Sequence, residues 1–151
     1  MREFVICPVA SILILALGAA ISQADESPTP RSKASIEWEK YPAVAAGHAR
    51  KSGRPIIVYV TADYCGYCRK MERESWSDKD VTKTVSENFV ALKLDAEKHE
   101  KLVARLDVRA YPTALVFGGD GKHITTAEGF LSRADLLKLL AKKNSVAKPD
   151  E

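Results

Sequence analysis

A mixed central β-sheet with helices packed on both faces, an α/β domain, is the fold class this sequence predicts. Three observations carry it. Short apolar runs rich in β-branched residues recur at Ile56 to Val60, Phe89 to Asp95 and Thr113 to Phe117. Segments with helical spacing of apolar residues separate them, the alternation expected when crossovers join the strands of one sheet. After the third run come Gly118-Gly119-Asp120-Gly121 and a fourth run, His123 to Ala127. That is a hairpin pattern, and it makes the sheet mixed.

The chain has 151 residues, 46% hydrophobic and 28% charged, with a formal net charge of +3. These are the proportions of an ordinary globular protein, and so small and interspersed a charge does not suggest a nucleic-acid binder. Phe4 to Ile21 is apolar, preceded by Arg2 and followed by Ser22-Gln23-Ala24. Residues 1–24 therefore read as a signal peptide cleaved after Ala24. The apolar stretch is just long enough to span a bilayer, so an uncleaved anchor is the alternative. In both cases the domain is expected outside the cytoplasm, periplasmic or secreted, or held at the membrane by its N-terminal segment. Residues 25–34, polar and carrying Pro28 and Pro30, read as a flexible linker. A single domain is expected over 35–143, with a polar tail over 144–151; the roughly 125 residues left after cleavage suffice for one core.

Within the domain, Trp38, Tyr41, Val44, Ala45 and Ala49 fall near helical spacing and are expected to turn one face inward, Pro42 confining the regular helix to the part after it. Gly53-Arg54-Pro55 breaks that pattern. Ile56 to Val60 is apolar almost without interruption, as suits a strand buried on both faces. The next helix starts at the cysteines, turns Met71 to the core and Glu72, Arg73 and Glu74 to water, and ends or kinks near Ser75 to Ser77. Ser77 with Asp80 offers a capping box for a helix over Lys79 to Glu87. The strand Phe89 to Asp95 follows, with Asp95 placed to cap a helix over Glu97 to Leu106 whose inward stripe is Leu102, Val103 and Leu106. After the hairpin, Ser132-Arg133-Ala134-Asp135 opens a last helix with Leu136, Leu137, Leu139 and Leu140 as its apolar stripe.

Cys65-Gly66-Tyr67-Cys68 stands where the first long strand meets the helix after it. Residues three apart lie on one helix face, close enough for a disulfide to open and close in place. Free N–H groups and the positive end of the helix dipole favour a thiolate at Cys65, the attacking species in disulfide exchange. Zinc would want four ligands, and His48, His99 and His123 are scattered without ligand spacing. A c-type haem needs His after the second cysteine, where Arg69 stands. A purely structural bridge is the bland alternative, weakened by the small chain entropy so short a loop removes. Cys7 leaves with the signal, so the mature chain spends its only two cysteines on this spacing. Redox chemistry is the favoured use.

The alternation, the Cys-x-x-Cys at a strand-to-helix turn, and Val108-Arg109-Ala110-Tyr111-Pro112-Thr113 before the third long strand together resemble the thioredoxin superfamily. Gly53-Arg54-Pro55, Ala62 to Glu72 and Trp76-Ser77-Asp78 are similar to exported thioredoxin-like thiol-disulfide interchange proteins (thioredoxin_7-like). The resemblance implies a thioredoxin fold. It implies that Cys65 is the exposed nucleophile and Cys68 the buried resolving cysteine. It also implies that Pro112 is a cis-proline placing Tyr111 beside the disulfide, where main chain can pair with an extended substrate. Tyr64 and Tyr67 flank the nucleophile and are candidate substrate contacts, or packing.

The chain departs from the family in two places. Thioredoxins carry a buried acid in the strand before the motif, and Tyr59 occupies that position here; Lys93, water or another acid would then handle the resolving cysteine's proton. The intervening pair is Gly66-Tyr67, and this pair tunes the potential, so the residues leave the direction of electron flow open. Reduction of protein disulfides is the working direction. The expected partners are protein thiols and disulfides, with a membrane thiol protein as electron donor; no nucleic acid, metal or organic cofactor is called for, and a monomer is expected. The rival from another class is a thioredoxin-fold binding or chaperone module with incidental cysteines. Metal delivery is a weaker third.

Overall fold

The computed structural model describes residues 35–144. The expected signal (1–24), linker (25–34) and all of the polar tail but Asn144 lie outside the described residues. Along the chain run β1 (Trp38–Glu39), α1 (Pro42–Ser52), β2 (Ile56–Thr61), α2 (Gly66–Met71), a π turn (Glu72–Trp76) and α3 (Lys79–Asn88). β3 (Val90–Asp95), α4 (Glu100–Arg105), β4 (Thr113–Phe117), β5 (His123–Glu128) and α5 (Arg133–Ala141) follow.

The sheet order is β1-β3-β2-β4-β5. β1 and β2 both run parallel to β3, and β4 pairs antiparallel with β2 and with β5, so the sheet is mixed as expected. β2 and β4 are central, and Ile57 to Val60 and Ala114 to Val116 are all buried. A strand covered on both faces needs apolar residues at every position, hence the unbroken run. Leu136, Leu139 and Leu140 of α5 and Val81 and Val85 of α3 close the core. Arg133 fastens α5 to α3 through Asp78, at 3.0 Å, and Asp80.

Four local expectations are corrected. Trp38, placed by its spacing on the helix's inward face, instead forms a strand with Glu39, paired with Ala91 and Leu92. The helix starts at Pro42, whose missing N–H costs nothing in the first turn. Its inward residues are Ala45 and Ala49, while Tyr41 and Val44 are exposed. It closes on Gly53 at φ 69°, a left-handed conformation that glycine adopts without a Cβ penalty, and the Gly53 N–H reaches the Ala49 carbonyl.

Asp78, not Ser77, caps α3. Its carboxylate accepts from the amides of Asp80 and Val81, at 2.9 and 3.2 Å, while the Ser77 hydroxyl donates back to the Arg73 carbonyl. Asp95 accepts from the amides of Glu97 and Lys98 in a turn, and α4 begins only at Glu100. Ser132 does cap α5, accepting from the Asp135 amide. Among the described residues no helix is long and apolar enough to cross a membrane.

Candidate active site

β2 runs out at Thr61, and the Cys65 amide closes a tight turn on the Ala62 carbonyl at 3.0 Å. Cys65 takes the N-cap position of α2 with extended backbone, and its Sγ accepts from the Cys68 amide at 3.1 Å. The sulfur thereby satisfies an end-of-helix donor, and a thiolate on Cys65 would keep the contact with a full charge. The two cysteines are bonded, with Cα atoms 5.2 Å apart. Cys65 keeps 8% of its surface and Cys68 1%, so a partner meets Cys65 first.

The surroundings divide into a rim and a floor. On the rim, Tyr64 and Tyr67 are 70% and 66% exposed. Arg69 folds back to donate to the Asp63 carbonyl at 2.7 Å, and Lys70 lies over the Phe130 ring, so neither cation is simply dispersed into solvent. The pairing of Val60 with Thr113 sets Tyr111 and Pro112 at the same end of the sheet as the Ala62–Cys65 turn. The Tyr111–Pro112 peptide is cis; Pro112 is buried and Tyr111 half-buried. The Pro112 carbonyl accepts from the Gly129 amide at 2.7 Å, and the Thr113 hydroxyl donates to the Ala110 carbonyl at 2.8 Å, tying this loop to its neighbours.

The floor is built by Tyr59. Its hydroxyl donates to the Cys68 carbonyl at 3.1 Å, and its ring packs against Trp38 and Trp76 with centroids 5.8 and 5.3 Å away. Trp38 meets Trp76 edge-on at 5.0 Å, which makes the three rings one cluster. Burial pushes the Tyr59 phenol well above its ordinary range, and the Glu72 carboxylate adds to the shift.

Lys93 is not free to act alone. Its ammonium pairs with Glu72 at 2.8 Å and lies 5.8 Å from the centre of the Tyr59 ring. Glu72, expected to face water, turns instead toward β3 and is only partly exposed. It is the residue that sequence reasoning missed, although its place four residues after Cys68 puts it on the same helix face. Among the described residues no group of three or more His, Cys, Asp or Glu side chains gathers to hold a metal.

A family model described as a thioredoxin-like domain matches residues 42–144. The thiol:disulfide interchange protein DsbD of Yersinia pestis is 30% identical over 113 residues, which are 71% of this chain and 19% of that protein. The chain thus spans about a fifth of that relative's length. Among solved structures, a thioredoxin from Thermus thermophilus superposes with a TM-score of 0.65 at 27% identity, covering 72% of this chain and 86% of that one. DsbH oxidoreductase superposes with a TM-score of 0.62 at 20% identity, over 78% of this chain and 92% of that one. This last likeness is one of fold alone.

Proposed function

The chain belongs to the thioredoxin-like family of thiol-disulfide oxidoreductases, and from that premise we propose that Cys65 and Cys68 are its reacting pair, reducing disulfides in exported proteins. The single observation that carries the reading is the asymmetry of the pair. Cys65 is the more open sulfur and holds a main-chain N–H donor, while Cys68 lies sealed behind it.

The chemistry is thiol-disulfide exchange. The Cys65 thiolate attacks one sulfur of a substrate disulfide, an S–S bond forms between Cys65 and the substrate, and the other substrate sulfur leaves with the electron pair and takes up a proton. Cys68, deprotonated, then attacks Cys65 Sγ and expels the second substrate thiolate. Two electrons have passed to the substrate, and the Cys65–Cys68 disulfide is left. Tyr111 and Pro112 supply main chain beside the disulfide for an extended substrate segment, and Tyr64 and Tyr67 supply apolar contact around Cys65. An exported reductant needs its electrons returned, and a membrane thiol protein is the class of donor that fits. The apolar segment Phe4 to Ile21 supports export, with or without retention at the membrane, and the domain is taken to act as a monomer.

Replacing Cys68 with Ala tests the reading. Cells expressing the full chain with Cys68→Ala are expected to accumulate covalent adducts on Cys65 that dithiothreitol releases. Absence of any thiol-linked adduct, together with intact activity of Cys65→Ser in cells, would leave a binding module as the function.

A further inference from the structure

A groove of about 1340 Å³ opens between β1, the sheet and α3, and neither cysteine lines it. Its floor is aromatic: Trp38, Tyr59 and Trp76, which pack against one another, all line it. Tyr59 is shared with the turn that carries the disulfide, its hydroxyl donating to the Cys68 carbonyl at 3.1 Å. The Trp76 indole N–H is buried and finds no acceptor among the described residues. Folded proteins seldom leave a buried donor unpaired, so an acceptor from water or a ligand is called for there.

One wall of the groove is basic. Lys79 and Lys83, one turn apart on α3, are both exposed and line it. Two cations at that spacing repel, and Lys79 stands in the first turn, where the helix dipole opposes a cation. The acids beside Lys79 are engaged elsewhere, since Asp78 and Asp80 both hold Arg133. Among the described residues Glu87, one turn past Lys83, pairs with neither lysine, and Glu72 is held by Lys93 at 2.8 Å. Thr82, between the two lysines, donates its hydroxyl to the Trp76 carbonyl at 3.1 Å. The two cations and the indole donor therefore share one part of the groove.

We infer that this groove is a second binding site, separate from the cysteines, for an amphipathic anion. Its apolar body lies on the Trp38, Tyr59 and Trp76 rings, and its one anionic head sits at Lys79 and Lys83, bringing oxygen acceptors to the end of the groove where the Trp76 N–H lacks one. Ligand sites are mostly apolar, with a few polar groups that fix orientation, and that is the division seen here. A small inorganic anion would leave the rings uncovered. A neutral apolar molecule would leave the lysines facing each other unrelieved.

The chain's only two tryptophans both lie in the groove floor, so tryptophan emission reports binding at this place. The test titrates sodium dodecanoate, below its micelle concentration, into the full-length chain with its disulfide closed. A saturable change in emission is expected, with a raised urea midpoint, because a ligand held by the folded state stabilises it. Lys79→Gln combined with Lys83→Gln is expected to weaken binding about tenfold, the worth of two exposed ion pairs. Lys138→Gln, on α5 and outside the groove, is expected to leave it unchanged. Dodecanol, the same body without the charge, is expected to bind about tenfold more weakly than dodecanoate. No saturable change, or a lowered urea midpoint, overturns the inference. So does an affinity that the double lysine variant leaves unmoved. Should that variant fail to fold, equal affinities for dodecanol and dodecanoate in the unaltered chain overturn it.

Discussion

The Tyr59 hydroxyl and the Cys68 carbonyl meet across 3.1 Å, joining the central strand to the first turn of the helix that carries the disulfide. The contact sits at the corner of the Trp38, Tyr59 and Trp76 cluster, so the ring's packing and the hydroxyl's hydrogen bond support the same turn. The two contributions can be separated. Tyr59→Phe keeps the ring, and the Cys68 carbonyl retains its helical partner, the Glu72 amide. Its cost is expected to be about 1 kcal/mol, the net worth of one hydrogen bond. Tyr59→Ala empties the floor and is expected to cost about 4 kcal/mol. Urea unfolding of both variants measures the difference; equal losses would mean that the hydroxyl, not the ring, holds the site.

Tyr64 and Tyr67 put apolar surface into water on both sides of a reactive sulfur, at no evident benefit to the fold. Replacing either with Ser is expected to change stability by less than about 0.5 kcal/mol, as for other surface positions. The effect should fall on protein substrates. An aromatic contact of about 1 kcal/mol corresponds to a roughly fivefold loss in kcat/KM. Glutathione disulfide carries no extended chain to lie against the tyrosines, so its rate is expected to change less than that of a protein disulfide. Parallel assays of the two disulfides check this, and equal losses on both would assign the tyrosines to shielding Cys65.

Much of this site was legible before any coordinates because its signals are local. Cys65 and Cys68 announce themselves by spacing at a strand-to-helix turn, and Pro112 through the likeness of Val108 to Thr113 to the thioredoxin superfamily. Ser132 declares a helix start through a contact three residues away. What escaped depends on packing between distant segments. β1 is two residues long, too short for any periodicity, and exists only because Ala91 and Leu92 offer it an edge. Tyr41 and Val44 fit a helical stripe in sequence, yet the stripe that meets the sheet is the narrow one of Ala45 and Ala49. Glu72 reads as a surface acid until Lys93, 21 residues on, is brought against it.

Asp95 governs the turn beside the active-site loop, and its titration gives the domain a pH dependence of defined sign. It ends β3 opposite Thr61, and the next residue's amide donates to the Thr61 carbonyl at 2.8 Å. Its carboxylate holds the Lys98 ammonium at 2.7 Å and the amides of Glu97 and Lys98. The Lys98 contact chiefly, with those amides, holds its carboxyl below the usual carboxylate range. A group with a depressed folded pKa stabilises the native state fully above its unfolded value, about pH 4. That stabilisation fades as pH falls through the lower, folded value. Asp95→Asn is therefore expected to be less stable than the unaltered chain at pH 7, with the gap narrowing as pH falls below about 4. Lys98→Ala should reproduce the larger part of the gap, the two amides accounting for the rest. Urea midpoints measured from pH 7 to pH 2 decide the matter: a gap that stays constant across that range would show that Asp95 holds the turn by shape, with its charge immaterial.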